Sequence, residues 1–394
     1  MKKNFTRKVL VMATAATMVT ASLVGCSPSG NSSSTVIKVG AIDPTTGDNA
    51  NGGTDDLRGK EMAVEDFNKD GGATIDGKDA TFKLISYDDA SSASQSVSVC
   101  TKLITQDNVV GIAGSFSSSC TLADLDVLNE YSIPMITSGS SAASVLDSDC
   151  DWISRSFPGD ALQISALLNY IKEKDPQTDK IGVIYSNDDY GIGGYNGVIS
   201  AAKKKGIEVV GQSFGTDDTD MTAQLSNLKN QDIDCLFIWA NYTPGSYCMK
   251  QARALDWDIQ FYSGTGTIHG DTFSLSDDAY VGTINSVPFT TATTDESTQD
   301  WIARYTKKYG SAPSQNSARG YDAMMILLNA IKTAKSTEGA DIQKAILNTK
   351  DHKGIQGNIS IDPKTGEYIG DVQIVQATSD NSWEFLASAS TSDK

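Results

Sequence analysis

Short apolar runs alternate with longer stretches of helical spacing along most of the chain. VIKVGAI (36–42), VVGIA (109–113), KIGVIY (180–185) and CLFIW (235–239) read as strands buried on both faces, and TFKLISY (81–87) as an alternating one. Between them, residues 55–68, 94–106 and 121–130 space their apolar positions as helices do, with Gly71-Gly72 ending the first. A short strand over 133–136 contains Pro134, which argues against a fully paired position. The alternation then restarts, with helices over 161–172, 194–204, 222–230 and 246–255 and strands over 207–211 and 259–262. Two consecutive arrays of this kind predict two α/β lobes, each a mostly parallel sheet covered by helices. Helices over 298–309 and 321–335, and strand-like pieces over 357–361 and 372–377, must complete one or both lobes, so the chain crosses between them more than once.

The first 26 residues read as an address. Lys2, Lys3, Arg7 and Lys8 precede an apolar stretch from Val9 to Val24, whose 16 residues fall short of the roughly 20 that span a bilayer. A charged start, a short apolar middle and small residues before a cut make a secretory signal. Leu23-Val24-Gly25-Cys26 resembles the lipobox of bacterial lipoproteins, which implies a signal peptide over 1–25 and a lipid on Cys26. SPSGNSSST (27–35) is small and polar, as a tether from a membrane surface should be. The expected location is extracytoplasmic, anchored to the bacterial cell membrane through Cys26, with 26–35 as the lipidated tether.

Composition narrows the function. The chain has 32 Lys+Arg against 49 Asp+Glu, a formal charge of −17, and losing the leader removes four basic residues and no acidic one. That balance excludes a nucleic-acid partner, which needs clustered cations. With 39% hydrophobic residues a real core forms and bulk disorder is excluded. Five cysteines remain (Cys100, Cys120, Cys150, Cys235, Cys248); Cys235 reads as a buried hydrophobe, and Cys120–Cys150 is the expected bridge in an exported chain. Only two histidines exist, no spacing matches a zinc or calcium site, and no nucleophile elbow or phosphate loop is present, so no metal, cofactor or catalytic residue is assigned.

Open α/β sheets bind ligands beyond the carboxyl ends of their strands. Gly114-Ser-Phe-Ser-Ser-Ser119 and Thr137-Ser-Gly-Ser-Ser141 fall at such positions. Their hydroxyls, together with the amides of a following helix N-terminus, suit a carboxylate or another anionic or polar group. The competing role for these serines is to cap helices and fill turns.

The order of these motifs resembles the branched-chain-amino-acid type of ABC-transporter substrate-binding protein, with the type I periplasmic-binding-protein fold. The resemblance runs over residues 36–387. Residues 37–42 with Thr46-Gly47 resemble its opening strand and first ligand loop, and KEMAVEDFNKDGG (60–72) its first helix. Asp88-Asp89 matches the end of its second strand, and NVVGIAGSFSSS (108–119) and IPMITSGSS (133–141) its hydroxyl-rich loops. NDDYGIGG (187–194), KQARAL (250–255) and Tyr321-Asp322-Ala323 resemble later motifs.

This resemblance implies two Rossmann-like lobes joined by a three-strand hinge, with 36–157 plus 289–369 as the first lobe and 158–288 plus 370–394 as the second. It also implies a monomer that closes over a small ligand, an amino acid or a related polar molecule, and presents the closed form to ABC permease subunits without catalysing a reaction. The family's ligand positions fall on Ser118, the Gly139 backbone and Ser141, with Ser119 and Ser140 beside them, and on Tyr190, Tyr242 and Thr265 across the cleft. Two positions depart from the family. Thr265 stands where an acid faces the ligand ammonium, and Gly52 falls near where a ring covers the ligand; Asp188, Asp189 and Asp271 are the acids available to replace the lost charge. An aromatic acid, a nucleoside or a sugar is the alternative ligand. A sensor reporting to a signalling receptor is the alternative role, and an exported hydrolase the alternative class.

Overall fold

A computed structural model describes residues 35–390. Cys26 and the leader lie outside the described residues. The first sheet holds β1 (Thr35–Ile42), β2 (Ala73–Ile75), β3 (Lys78–Tyr87), β4 (Ile112–Ala113), β5 (Met135–Thr137) and β6 (Ile153–Arg155) in the order β2-β3-β1-β4-β5-β6. All its pairings are parallel except the β2–β3 hairpin. The second holds β7 (Lys180–Ser186), β8 (Glu208–Phe214), β9 (Cys235–Trp239), β10 (Gln260–Ser263) and β11 (Ile284–Val287). Its order is β16-β15-β11-β10-β9-β7-β8, with antiparallel β15 (Asp371–Ala377) and β16 (Trp383–Ser390) closing one edge. A small sheet of β12 (His352–Gly354), β13 (Gly357–Ile361) and β14 (Tyr368–Ile369) accompanies the first lobe's helices.

The chain passes between the two large sheets three times, at residues 156–159, at 288–295 and at Gly370. The central strands are apolar on both sides because helices cover both faces. Val39, Ala41, Ile112, Ala113, Met135 and Ile136 are wholly buried in one sheet, and Ile181, Val183, Leu236, Phe237 and Trp239 in the other.

The first lobe carries α1 (Ala50–Lys69), α2 (Ala93–Thr105) and α3 (Ser118–Tyr131). The second carries α4 (Asp160–Lys174), α5 (Asp189–Lys203), α6 (Thr222–Lys229), α7 (Tyr242–Ala254) and the short α8 (Asp271–Leu275). Then α9 (Glu296–Tyr309), α10 (Gln315–Ala334) and α11 (Gly339–Leu347) return to the first. Arg304 of α9 grips both oxygens of Asp66 on α1 at 2.8 Å, and Lys308 pairs with Glu65.

Helix α10 lies tightly on α1, and Gly59 is what allows it: a methyl there would sit 2.0 Å from the Ser317 carbonyl oxygen. This close pairing carries the start of α10 to the carboxyl end of the first sheet.

Several expectations are corrected. All five described cysteines are free and buried, so Cys120 and Cys150 are not bridged; the Cys150 thiol instead faces the Leu125 carbonyl. Pro134 precedes β5 rather than lying in it, which leaves β5 paired on both sides. Five helices begin earlier than their apolar spacing predicts, at residues 50, 118, 189, 242 and 315 instead of 55, 121, 194, 246 and 321.

Candidate ligand-binding cleft

Both parallel sheets reverse direction of winding at their centres, between β1 and β4 and between β7 and β9. Connections leave such a point on opposite faces and open a crevice beyond the strand ends. Here the two crevices face each other across a cleft of 690 Å³, within the roughly 300–1,000 Å³ of small-molecule sites.

The walls are built from first helical turns. Asn51 and Gly52 come from α1, Ser118 and Ser119 from α3, Tyr190 from α5, Tyr242 and Thr243 from α7, and Asn316 and Arg319 from α10. Three of these helices, α1, α3 and α7, start without a side-chain cap: Asn49, Ser117 and Asn241 occupy the cap positions, yet none bonds the first-turn amides. Uncapped N-termini leave N–H groups unpaired and carry the positive end of the helix dipole.

Of the residues expected from sequence, Ser118, Ser119, Gly139, Ser141, Tyr190, Tyr242 and Thr265 all line this cleft. Ser140 does not. Its hydroxyl is turned inward to Thr121 Oγ1 and the Ser115 carbonyl, where it ties the two serine loops together. Gly139 has the opposite reason for its place, since a side chain there would stand 2.3 Å from the Phe116 carbonyl oxygen. The loop 138–142 is held from below by the buried Arg155, which donates to the Ser140 and Ala142 carbonyls at 2.9 and 2.6 Å and pairs with Glu367 at 2.7 Å.

Tyr190 and Tyr242 are 8% and 9% exposed. Tyr242 stacks on His269 with ring centres 4.4 Å apart, so its free face turns to the cleft. Tyr190 packs near Trp239, their ring centres 6.1 Å apart. Beside them lies Asp160, wholly buried, with the Ser141, Arg155 and Trp239 side chains around its carboxyl. Burial lifts its carboxyl to about 7, against the opposing pull of Ser141, Arg155 and Trp239. Burial likewise raises the Tyr190 phenol well above its ordinary range.

Three polar contacts cross or brace the cleft. Asn51 Nδ2 donates to Asp271 Oδ2 at 2.8 Å, Gln315 Nε2 donates to the Thr265 carbonyl at 2.6 Å, and the Thr265 amide donates to Gln163 Oε1 at 2.9 Å. Asp271 is therefore engaged with Asn51 and does not line the cleft; Asp189 is exposed outside it. Asp188 lines it, with Oδ1 capping α5 through Gly191 N at 2.7 Å. Asp48, Asp217 and Asp218 stand exposed at the mouth.

Sequence reasoning missed Phe116, Asn316 and Arg319. Phe116 supplies the ring absent from the first loop: a methyl on Gly52 would meet the Phe116 ring at 3.0 Å. Ser314, which caps α10 with a reciprocal bond from Ser317, was the available signal that the helix starts six residues before its apolar spacing. Beneath Ser138, the buried Lys60 joins Asp43 and Asp56 at 2.6 and 3.2 Å. Ser138 donates to Asp56 Oδ2 at 2.5 Å. Burial pushes Asp43 well above the usual carboxylate range, only partly offset by Lys60.

The family model described as "Periplasmic binding protein" matches residues 36–382. A Leu/Ile/Val-binding protein homolog from Brucella melitensis is 26% identical over 345 residues, covering 83% of this chain and 84% of the relative. A crystal structure of a leucine-binding protein from Thermotoga maritima superposes with a TM-score of 0.82 at 26% identity, over 91% of this chain and all of that one. A solute-binding protein from Rhodopseudomonas palustris in complex with 3,4-dihydroxybenzoic acid shares the fold, with a TM-score of 0.78 at 21% identity over 90% and 97% of the two chains. Two switch-point crevices facing across one cleft, three crossings between the sheets and these likenesses agree: the chain belongs to the periplasmic binding protein family, as a type I member of the branched-chain-amino-acid type.

Proposed function

We propose that this chain is the lipid-anchored, extracytoplasmic substrate-binding protein of an ABC importer, and that it captures an amino acid or related small polar ligand between its lobes. The observation that carries this reading is the convergence of three uncapped helix N-termini on one cleft. A helix start that binds nothing is normally capped by its own Ser, Asn or Asp, worth about 1 kcal/mol. Here the cap residues are present and do not cap, which leaves the amides for a ligand. Ser118 and Ser141, 2% and 1% exposed, add hydroxyls beside the α3 amides. Tyr190 and Tyr242 then cover the ligand from the second lobe by ring face or hydroxyl. The lobes move about the three crossings, and a ligand that touches both shifts the population toward the closed form. Lipidation at Cys26 keeps the receptor at the membrane where a permease waits.

A second reading concerns the ligand alone. Thr265 supplies no negative charge where the ammonium of an amino acid would lie, which favours a less cationic ligand such as an aromatic acid. The Thermotoga relative is named for leucine and the Rhodopseudomonas protein holds 3,4-dihydroxybenzoic acid.

The test is a thermal-shift and calorimetric screen of purified protein lacking the leader, over amino acids, aromatic acids, nucleosides and sugars. A ligand that binds only the native state raises the melting point. For the ligand found, Ser118→Ala and Ser141→Ala should each weaken binding about 10- to 100-fold, the worth of a hydrogen bond to a charged group. Unchanged affinity in both variants removes these loops from the site.

A further inference from the structure

Arg319 is the only cation among the cleft-lining residues, and it is 3% exposed. Among the described residues no Asp or Glu stands within ion-pairing distance of it. Nη2 donates to Asn316 Oδ1, and Nε has no partner. The guanidinium lies over the Phe157 ring at 4.6 Å and near the Phe116 ring at 5.8 Å. Those rings orient it and offset part of its desolvation. They do not satisfy its remaining N–H donors, of which a guanidinium has five in a fixed fork. A buried charge that keeps an unmet donor, on a side chain that lines a cavity, is costly to hold unless something enters that cavity to meet it.

The nearest internal explanation is the Asp43–Lys60–Asp56 group, which holds two carboxyls and one ammonium. Asp56 acts on Arg319 at longer range, and burial still lowers Arg319 from its ordinary value to about 10. It therefore remains charged at neutral pH. The acids at the cleft mouth do not neutralise it either. Asp48, Asp217 and Asp218 are exposed, so water and salt screen them within about 8 Å, whereas a charge buried on the floor is screened much less.

We propose that Arg319 is a specificity-determining residue that pairs with a ligand carboxylate other than an amino acid's α-carboxylate, making this protein a receptor for small carboxylic acids whose acidic group is read by α10 rather than for branched-chain amino acids. The planar fork fits a carboxylate with two parallel hydrogen bonds, and Asn316 beside it holds the fork in place. Thr265 fits the same ligand class, because an acid there would repel the carboxylate. The inference rests on the binding-protein reading above and sharpens its ligand.

Two acid–amide pairs test it by isothermal calorimetry: L-glutamate with L-glutamine, and 4-hydroxybenzoate with 4-hydroxybenzamide. L-leucine is the neutral-side-chain control. The expected result is binding of at least one acid, with its amide weaker by ~30-fold or more, as when one partner of a buried charge pair is removed. Arg319→Met should abolish that discrimination, and Arg319→Lys should retain only part of it. The first pair separates an amino acid with an acidic side chain from the second pair's plain aromatic acid. Melting of the ligand-free variants separates binding from structure. A ligand-pairing Arg319 predicts that Arg319→Met melts at or above the wild type. If Arg319 instead balances the Asp43–Lys60–Asp56 group, Arg319→Met melts lower and the acid–amide ratio is unchanged, which overturns the proposal. Binding of leucine or of an amide as tightly as its acid overturns the inference and leaves the binding-protein reading standing. Failure of all five compounds to bind overturns the inference, while the broader screen decides the function.

Discussion

Asp160→Asn should flatten the pH dependence of stability between about pH 4 and 7. Asp160 opens α4 wholly buried, and burial holds its carboxyl at about 7 against the opposing pull of Ser141, Arg155 and Trp239. The charged groups that act on it are Arg155, which lowers its pKa, and Glu367, which raises it; the Tyr190 phenol lies close by and stays neutral. In the unfolded chain the same group titrates near 3.9. Between about pH 4 and 7 the native state therefore binds a proton that the unfolded state has lost. Stability consequently falls as pH rises through that window. Three pH units at about 1.36 kcal/mol each set the loss at roughly 4 kcal/mol, complete above pH 7 and absent below pH 4. Asn keeps the shape and removes the titration. Urea unfolding of the ligand-free protein at half-unit steps from pH 4 to 8 should show a falling midpoint for the wild type and a flatter one for Asp160→Asn, the curves diverging toward high pH. Asp124 supplies the control, since burial lifts its carboxyl to about 7 while Ser96 and Ser115 bond it. Asp124→Asn should therefore flatten the same window, its Oδ1 still accepting from both serines. Parallel wild-type and Asp160→Asn curves across the whole range would refute the reasoning.

Lys60→Met leaves Asp43 and Asp56 buried without their cation and should cost about 3–5 kcal/mol in urea unfolding at pH 7; a loss under 1 kcal/mol would show that the two carboxyls relax without it. Gly59→Ala distinguishes packing from propensity by its sign. An ordinary helical Gly→Ala gains about 1 kcal/mol, but here the new methyl meets the Ser317 carbonyl at 2.0 Å, and overpacking of about 1–3 kcal/mol should lower the melting point. A raised melting point would mean that α1 and α10 can separate freely.

The fold was readable where burial alone selects residues. The central strands of both lobes are apolar runs because both faces are covered, and β1, β7 and β9 fall within a residue or so of the extents their sequences suggest. The helix starts at the cleft were not readable in the same way. The opening turns of α1, α3, α5, α7 and α10 carry Asn51, Ser118, Tyr190, Tyr242 and Arg319, residues that line the cleft. Apolar periodicity is therefore absent from the turns that matter most for binding. The resemblance brought Ser118, Ser141, Tyr190, Tyr242 and Thr265 to the cleft wall, because it rests on motif order and needs no periodicity. It did not single out Arg319 or Phe116, which also line the cleft. The expected Cys120–Cys150 bridge came from compartment and parity alone; the fold buries each thiol in its own packing, and burial raises both thiols above their ordinary value.

The electrostatics of the cleft run against those of the chain. A formal charge of −17 governs solubility and acts through solvent, where it decays over about 8 Å at physiological salt. Three helix N-termini without side-chain caps and one buried guanidinium act across a few ångströms in a medium that water screens little. At 4 Å, unit charges interact by about 1 kcal/mol in water and about 4 kcal/mol near a protein surface. The local positive groups therefore outweigh the exposed acids at the mouth once a ligand is enclosed, although the mouth is negative overall. Such an arrangement weakens long-range attraction of an anion and strengthens its retention. An acidic ligand entering this cleft should accordingly bind faster as salt is raised from 20 to 200 mM, with little change in its dissociation rate. Stopped-flow quenching of cleft tyrosine or Trp239 fluorescence measures both rates, and an association rate that falls with salt would place the dominant field at Arg319 and the helix termini instead of the acidic mouth.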